Sequence, residues 1–426
     1  MAPPRHFNGG YTSMLQHLTS ALCATTTPLY EAALAALAPH HGTYQKAPLP
    51  HMALAEKQDD VAAMHQMARA LAQDAQRIVI LGTGGSSLGA QVLAQAQSRS
   101  LGPDLIFADN LDATSFAKIL QGDMASTRFF VVSKSGGTAE TMMQLGGALL
   151  ALEAAGAKPS HHLAGIAGGG DNALRRLARA YEFPLLPHES DIGGRFSVLS
   201  NVGLLPAIWA GCDPEVVRAG AQKAMAGLQG APQDFEPLKG AALHLAHMQA
   251  GRNVHVMMPY ADALERLAFW HRQLWGESLG KGGHGSVPVN ALGPVDQHSQ
   301  LQLYLDGPDD KLYTLITHET RGQGAGVPDD FSQDPDLAAL AGHAMGDLVD
   351  AEARATLDVL AEAKRPVRHI ELGAIGDESL GEVLMHLQLE TIYTADGLGV
   401  DAFSQPAVEA GKIRAKHYLQ NGERQP

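Results

Sequence analysis

Cysteine is nearly missing from this sequence: 426 residues carry two, Cys23 and Cys212, far apart and in no CxxC or Cys/His spacing. That scarcity points to a reducing compartment and leaves no thiolate set for a zinc ion. Aromatic residues are also sparse, at 5% of a chain rich in Ala, Gly and Leu, the balance of an ordinary soluble globular protein. No run reaches the roughly 18 apolar residues that a bilayer span needs. The opening MAPPRHFNGGYTSML lacks the apolar core of a signal peptide, so the cytoplasm is the expected location. Positive charge is in deficit. Lys and Arg number 31 against 45 Asp and Glu, a formal charge of -14. That balance argues against nucleic acid and against an anionic membrane as partners. An anionic ligand would have to be held by locally placed donors. Fixed-period repeats and low-complexity tracts are absent as well.

What is present is apolar bulk, 45% of the residues, enough for a large core and, by length, two to three domains. Residues 1 to about 70 read as a helical segment with breaks at Pro39–His41 and Pro48–His51. The pattern then changes to short apolar runs at Ile78–Leu81, Leu105–Phe107 and Phe129–Val132, with weaker ones at Leu163–Ala167 and Phe183–Leu186. Ala- and Leu-rich stretches between them are long enough for crossover helices. Buried β runs alternating with helices signal a parallel sheet covered on both faces. A Pro/Gly-marked connection at Gly227–Pro237 precedes a second set of strand candidates, Val254–Met258, Leu312–Thr317 and Val367–Leu372, with a loop-like His318–Asp336. The expected organisation is an N-terminal helical segment (1–70), two α/β domains (71–225 and 238–400) and a helical tail (401–426).

Two segments suggest anion binding. In IVILGTGGSSLGA, residues 78–90, a strand enters a Gly-rich turn and a helix follows from about Ser86. Glycines let backbone approach a ligand, and free N–H groups at a helix start attract anions. A dinucleotide turn and a plain strand-to-helix turn are the alternatives, although the spacing is not a clean GxGxxG and only Asp109 stands near the expected acidic position. The second segment, Ser133-Lys134-Ser135-Gly136-Gly137-Thr138, follows the strand Phe129–Val132 and precedes a helix from about Ala139. Three hydroxyls, an ammonium and a helix N-terminus within six residues would cradle a dianion. An ordinary Thr138 N-cap is the simpler reading. Both segments fall where open parallel sheets bind ligands, at the carboxyl ends of strands.

Gly84-Gly85-Ser86 and Ser133–Thr141 resemble the sugar-phosphate loops of the sugar isomerase (SIS) domain. Further motifs follow in order: DIGGRFSVLSNVGLLPA (191–207), WGESLGK (275–281) with Gln273 before it, GPVDQHSQLQ (293–302) and FSQPAVEAGK (403–412). Together they resemble the glucose-6-phosphate isomerase family over most of the chain. The resemblance implies an α/β fold of two flavodoxin-like parallel-sheet domains with helices on both faces, plus helical ends. It implies reversible interconversion of an aldose and a ketose phosphate through ring opening and a cis-enediolate, with no metal or organic cofactor needed. It also implies a small sugar phosphate as partner and a homodimer with the active site near the interface.

Residue by residue, the resemblance makes Glu277 the base that moves the proton between carbons 1 and 2. Arg195 becomes the donor to the enediolate oxygen, and Gln273 and Gln405 the ligands of substrate hydroxyls. Gly85, Ser86, Ser133, Lys134, Ser135 and Thr138 are expected to bind the phosphate end, and Lys412 to act near the ring oxygen. Ring opening is assigned to His298, because Leu305 stands where longer family members carry a histidine. A dual phosphoglucose/phosphomannose isomerase and a non-catalytic phosphosugar sensor are the alternatives. The sensor reading leaves Glu277, Arg195 and Lys412 without purpose.

Overall fold

The computed structural model describes residues 14–97 and 102–421. The ten strands among these residues are β1 (Leu15–His17), β2 (Arg77–Leu81), β3 (Asp104–Ala108), β4 (Thr127–Ser133), β5 (Leu163–Ala167), β6 (Leu185–Pro187), β7 (Val254–Pro259), β8 (Val287–Asn290), β9 (Lys311–Thr317) and β10 (Val367–Glu371). They form two five-stranded sheets. The first has the order β3-β2-β4-β5-β6 and is parallel throughout, the flavodoxin-like arrangement. Its middle strand β4 is buried along its whole length, and Phe129, Phe130, Val131 and Val132 pack on both faces. This explains a continuous apolar run in place of alternation. Each such side chain contributes about 1.5–3 kcal/mol on burial.

The second sheet has the order β1-β10-β9-β7-β8. Strands β7 to β10 are parallel, and β1 is added antiparallel at the β10 edge. This corrects the reading of residues 1–70 as wholly helical: Leu15–His17 is a strand of the second domain's sheet, too short to carry a pattern of its own. The part of that segment before residue 14 lies outside the described residues. A second correction concerns Pro39. The helix Thr27–Lys46 runs through it, and the predicted break does not occur. An interior proline costs a hydrogen bond, yet this helix packs on Glu236–Gln249 and buries Leu37 and His41. His41 Nδ1 lies 3.1 Å from the Tyr393 hydroxyl, which ties the turn beyond the proline to the core.

The helix Asp377–Leu398 is buried from Leu380 to Ala395 and joins the two halves. It crosses Pro214–Met225 where Gly381 and Gly220 let the backbones touch. A Cβ on either would fall on a carbonyl oxygen of the other helix. Among the described residues, no helix is long and apolar enough to cross a membrane.

Candidate active site

In an open parallel sheet, ligands gather where consecutive crossovers diverge. In the first sheet that point lies between β2 and β4, and the two Gly/Ser loops emerge there. The first loop turns through Gly84, whose φ of +59° is left-handed. It lies against the second domain, because a Cβ on Gly84 would stand 2.7 Å from Gln273 Nε2. Gly85 is closer still to its neighbour: a Cβ there would fall on the carbonyl of Gly194, 2.6 Å from the Arg195 nitrogen. Ser197 Oγ donates to the carbonyls of Gly194 (2.7 Å) and Gly85 (3.3 Å), fastening the two backbones together. Ser86 closes the short turn Gly84–Ser86, and the α-helix proper begins at Leu88.

The second loop follows β4. Its hydroxyls converge: Ser133 and Thr138 Oγ atoms are 3.0 Å apart, and those of Ser135 and Thr138 are 3.4 Å apart. Thr138 is the N-cap residue of the helix Ala139–Ala154 but makes no side-chain cap bond, so its hydroxyl stays with the loop. Lys134 is turned elsewhere. Its ammonium donates to the carbonyls of Ser190 and Ile192, both at 2.8 Å. Burial, opposed by Asp191, pushes it below the usual lysine range. Lys134 thus braces the segment leading into Gly193-Gly194-Arg195.

Arg195 is the hub. Its side chain is almost fully buried, and all five guanidinium N–H groups are used. Nε donates to Ser278 Oγ at 2.9 Å, and one terminal nitrogen donates to Glu277 Oε2 at 3.1 Å and Gln405 Oε1 at 2.7 Å. The other donates to the carbonyls of Ala402 (2.6 Å) and Ser404 (3.0 Å). One side chain from the first domain therefore holds the helix Glu265–Leu279 and the segment 402–405. Burial pushes its pKa down, and Glu277 opposes that shift. An arginine keeps its charge through such a perturbation.

Glu277 is about one-third exposed and receives a second donor from Gln273 Nε2, 3.0 Å from Oε1. Gln273 Oε1 is buried without a partner among the described residues, an acceptor still free. The helix carrying both is anchored two residues earlier. Trp275 packs between the rings of His244, His255 and His271, with centroids 4.5–5.3 Å away, and its indole donates to Ser286 Oγ.

Two candidates stand apart from this set in the single chain. His298 is exposed, just after the turn Val295–Gln297, and its ring makes no hydrogen bond to another described residue. Lys412 lies on the exposed helix Glu409–Asn421 and pairs with Glu409 at 2.7 Å. Leu305 packs into an apolar cluster with Tyr304 and Tyr313. Two neighbours of Glu277 escaped the sequence reading. Ser278 orients Arg195, and the Lys281 ammonium bridges the carbonyls of Ser278 and Asp401, both at 2.6 Å. Both lie inside WGESLGK, so their signal was the motif itself.

The family model for phosphoglucose isomerase matches residues 62–292. The glucose-6-phosphate isomerase of Rubrobacter xylanophilus is 39% identical over 386 residues, 87% of this chain and 89% of that protein. That of Thermus thermophilus is 35% identical over 80% of this chain and 83% of its own length. A hypothetical protein of known structure, also from Thermus thermophilus, superposes with a TM-score of 0.83 at 32% identity, covering 92% of this chain and 95% of that one. A glucose-6-phosphate isomerase from Chlamydia trachomatis has the same TM-score at 17% identity, covering 97% and 90%, a likeness of fold.

Proposed function

Since the chain belongs to the phosphoglucose isomerase family and interconverts glucose 6-phosphate and fructose 6-phosphate, we propose a division of labour among its residues. Glu277 takes the proton from carbon 2 and returns it at carbon 1, one carboxylate serving both positions on one face of a planar enediolate. Arg195, pre-oriented by five hydrogen bonds, offers its charge to the developing oxyanion without reorganising. Gln273, with its free buried acceptor, and Gln405 bind substrate hydroxyls. The Ser133, Ser135 and Thr138 hydroxyls, Ser86, the Gly85 backbone and the start of the helix Ala139–Ala154 hold the phosphate. Lys134 acts at one remove from the phosphate, bracing the segment 190–192 that leads into Arg195.

The observation that carries this reading is the Arg195–Glu277 pair at 3.1 Å, which joins both domains beside the two loops. The test is coupled turnover of fructose 6-phosphate by wild type and Glu277→Gln. Loss of the base lowers kcat by about 10³-fold. A variant with wild-type kcat overturns the assignment.

Ring opening falls to His298 and Lys412, and the homodimer is where they would join the site. The helix Glu409–Asn421 buries none of its residues in the single chain, and Ile413 and Leu419 are 67% and 76% exposed. A second copy covering that helix accounts for both features, and sedimentation would then give twice the chain mass.

A further inference from the structure

The second sheet ends in the antiparallel pair β1 and β10. Its register sets His17 opposite His369 and Leu15 opposite Glu371. Side chains two apart share a face, so His17, His369 and Glu371 stand together on one face at the sheet edge. One imidazole nitrogen from each histidine and one carboxylate oxygen all lie within 4.8 Å of one another. His17 Nε2 is 3.6 Å from Glu371 Oε2, and the two rings stack with centroids 5.4 Å apart. Thr317, on the next strand, has its hydroxyl 2.7 Å from His369 Nε2 and fixes the ring, as partners of metal-bound histidines do.

A tetrahedral zinc ion with bonds of about 2.1 Å holds its ligands roughly 3.4 Å apart. The His17–Glu371 pair, at 3.6 Å, is close to that spacing, and the third ligand, no more than 4.8 Å from the others, needs a side-chain movement of at most about 1.4 Å to meet it. Two imidazoles and a carboxylate, with one position left to water, form a donor set that zinc accepts and that magnesium or calcium does not favour. The His17 and Glu371 side chains are 54% and 52% exposed, so an ion enters from solvent without disturbing the core.

We propose that His17, His369 and Glu371 form a Zn²⁺ site that clips the N-terminal strand to the second domain. The site is separate from the Arg195–Glu277 set and takes no part in the isomerisation. Strand β1 is three residues long and has few ladder bonds of its own. An ion that binds only the paired arrangement stabilises it through mass action.

The full chain, stripped with a chelator, is titrated with Zn²⁺ by calorimetry and with Co²⁺ by visible absorption. The expected result is one ion per chain, the absorption of tetrahedral cobalt and a Tm that climbs with Zn²⁺ concentration. His17→Ala and Glu371→Gln each abolish these signals while kcat and the circular dichroism stay at wild-type values. Thr317→Val, which keeps all three ligands, weakens binding by about 10–100-fold. No binding by the wild type, which leaves only a cross-strand His–Glu ion pair, overturns the proposal. So does undiminished binding by the His17→Ala/His369→Ala double variant, because the ion would then occupy another of the 20 histidines.

Discussion

Arg195 is held by a serine, a glutamate, a glutamine and two carbonyls drawn from two distant stretches of chain. Such a side chain can position a substrate because none of its own freedom remains. Gly85 is what lets the first loop come close enough to share that order. In Gly85→Ala the new methyl meets Gly194 backbone, which cannot rotate away, so the loop withdraws from Arg195. Turnover should fall about 10²-fold, the usual consequence of displacing a site by an ångström, with the Tm lowered modestly. Wild-type turnover in Gly85→Ala would show that the contact is incidental. The motif glycines were legible in the sequence, but the partner of each was not. Lys134 shows the limit well. Its place in the loop suggested phosphate, whereas its ammonium reaches the carbonyls of Ser190 and Ile192, more than fifty residues away in sequence.

Elements were legible where their stability is local. The strands β2 to β5, β7, β9 and β10 follow from apolar runs. β6 begins two residues later than the run at Phe183 suggested. β8 contains Pro288 and few large apolar residues, and it exists because β7 offers it a ladder. β1 depends in the same way on β10. The helix through Pro39 shows packing overruling propensity. The helix Glu409–Asn421 was also legible as a helix, but not as one whose apolar side chains have no cover within the chain. Stable interfaces bury about 1,200–2,000 Å² in total, and charges at their centre break them. Ile413→Glu combined with Leu419→Glu should therefore convert a dimer into a monomer by sedimentation, with loss of turnover. A double variant that sediments unchanged would place the subunit contact elsewhere.

At the scale of the molecule, two sheets of related order are joined where the first sheet's Gly84 loop meets the helix Glu265–Leu279, and Trp275 roots that helix in an unusual core. Arg368 and Glu390 pair there at 2.6 Å, and His244, His255, His271 and His386 surround them, all buried. Burial alone would raise the Glu390 carboxyl; Arg368, His244 and His386 outweigh it and hold the group well below its usual range. Burial pushes His271 down to about 3, and His51, packed against the Phe196 ring, likewise to about 3. These rings are neutral when folded, but in the unfolded chain they take up protons below about pH 6.5. The unfolded state binds more protons between those values, so stability is complete above about pH 6.5 and is lost as the pH falls toward 3. Urea unfolding should show this decline, and His271→Asn should flatten it by about one proton. An unchanged slope in that variant would mean that His271 is not a source of acid sensitivity.

The most direct measurement of the central claim is hydrogen exchange during isomerisation in D₂O. Wild type should place solvent deuterium at carbon 2 of glucose 6-phosphate formed from fructose 6-phosphate. Glu277→Gln, folded and still binding the sugar phosphate, should lose exchange and isomerisation together. If Glu277→Gln exchanges that hydrogen at the wild-type rate, another residue is the base and the account fails at its centre.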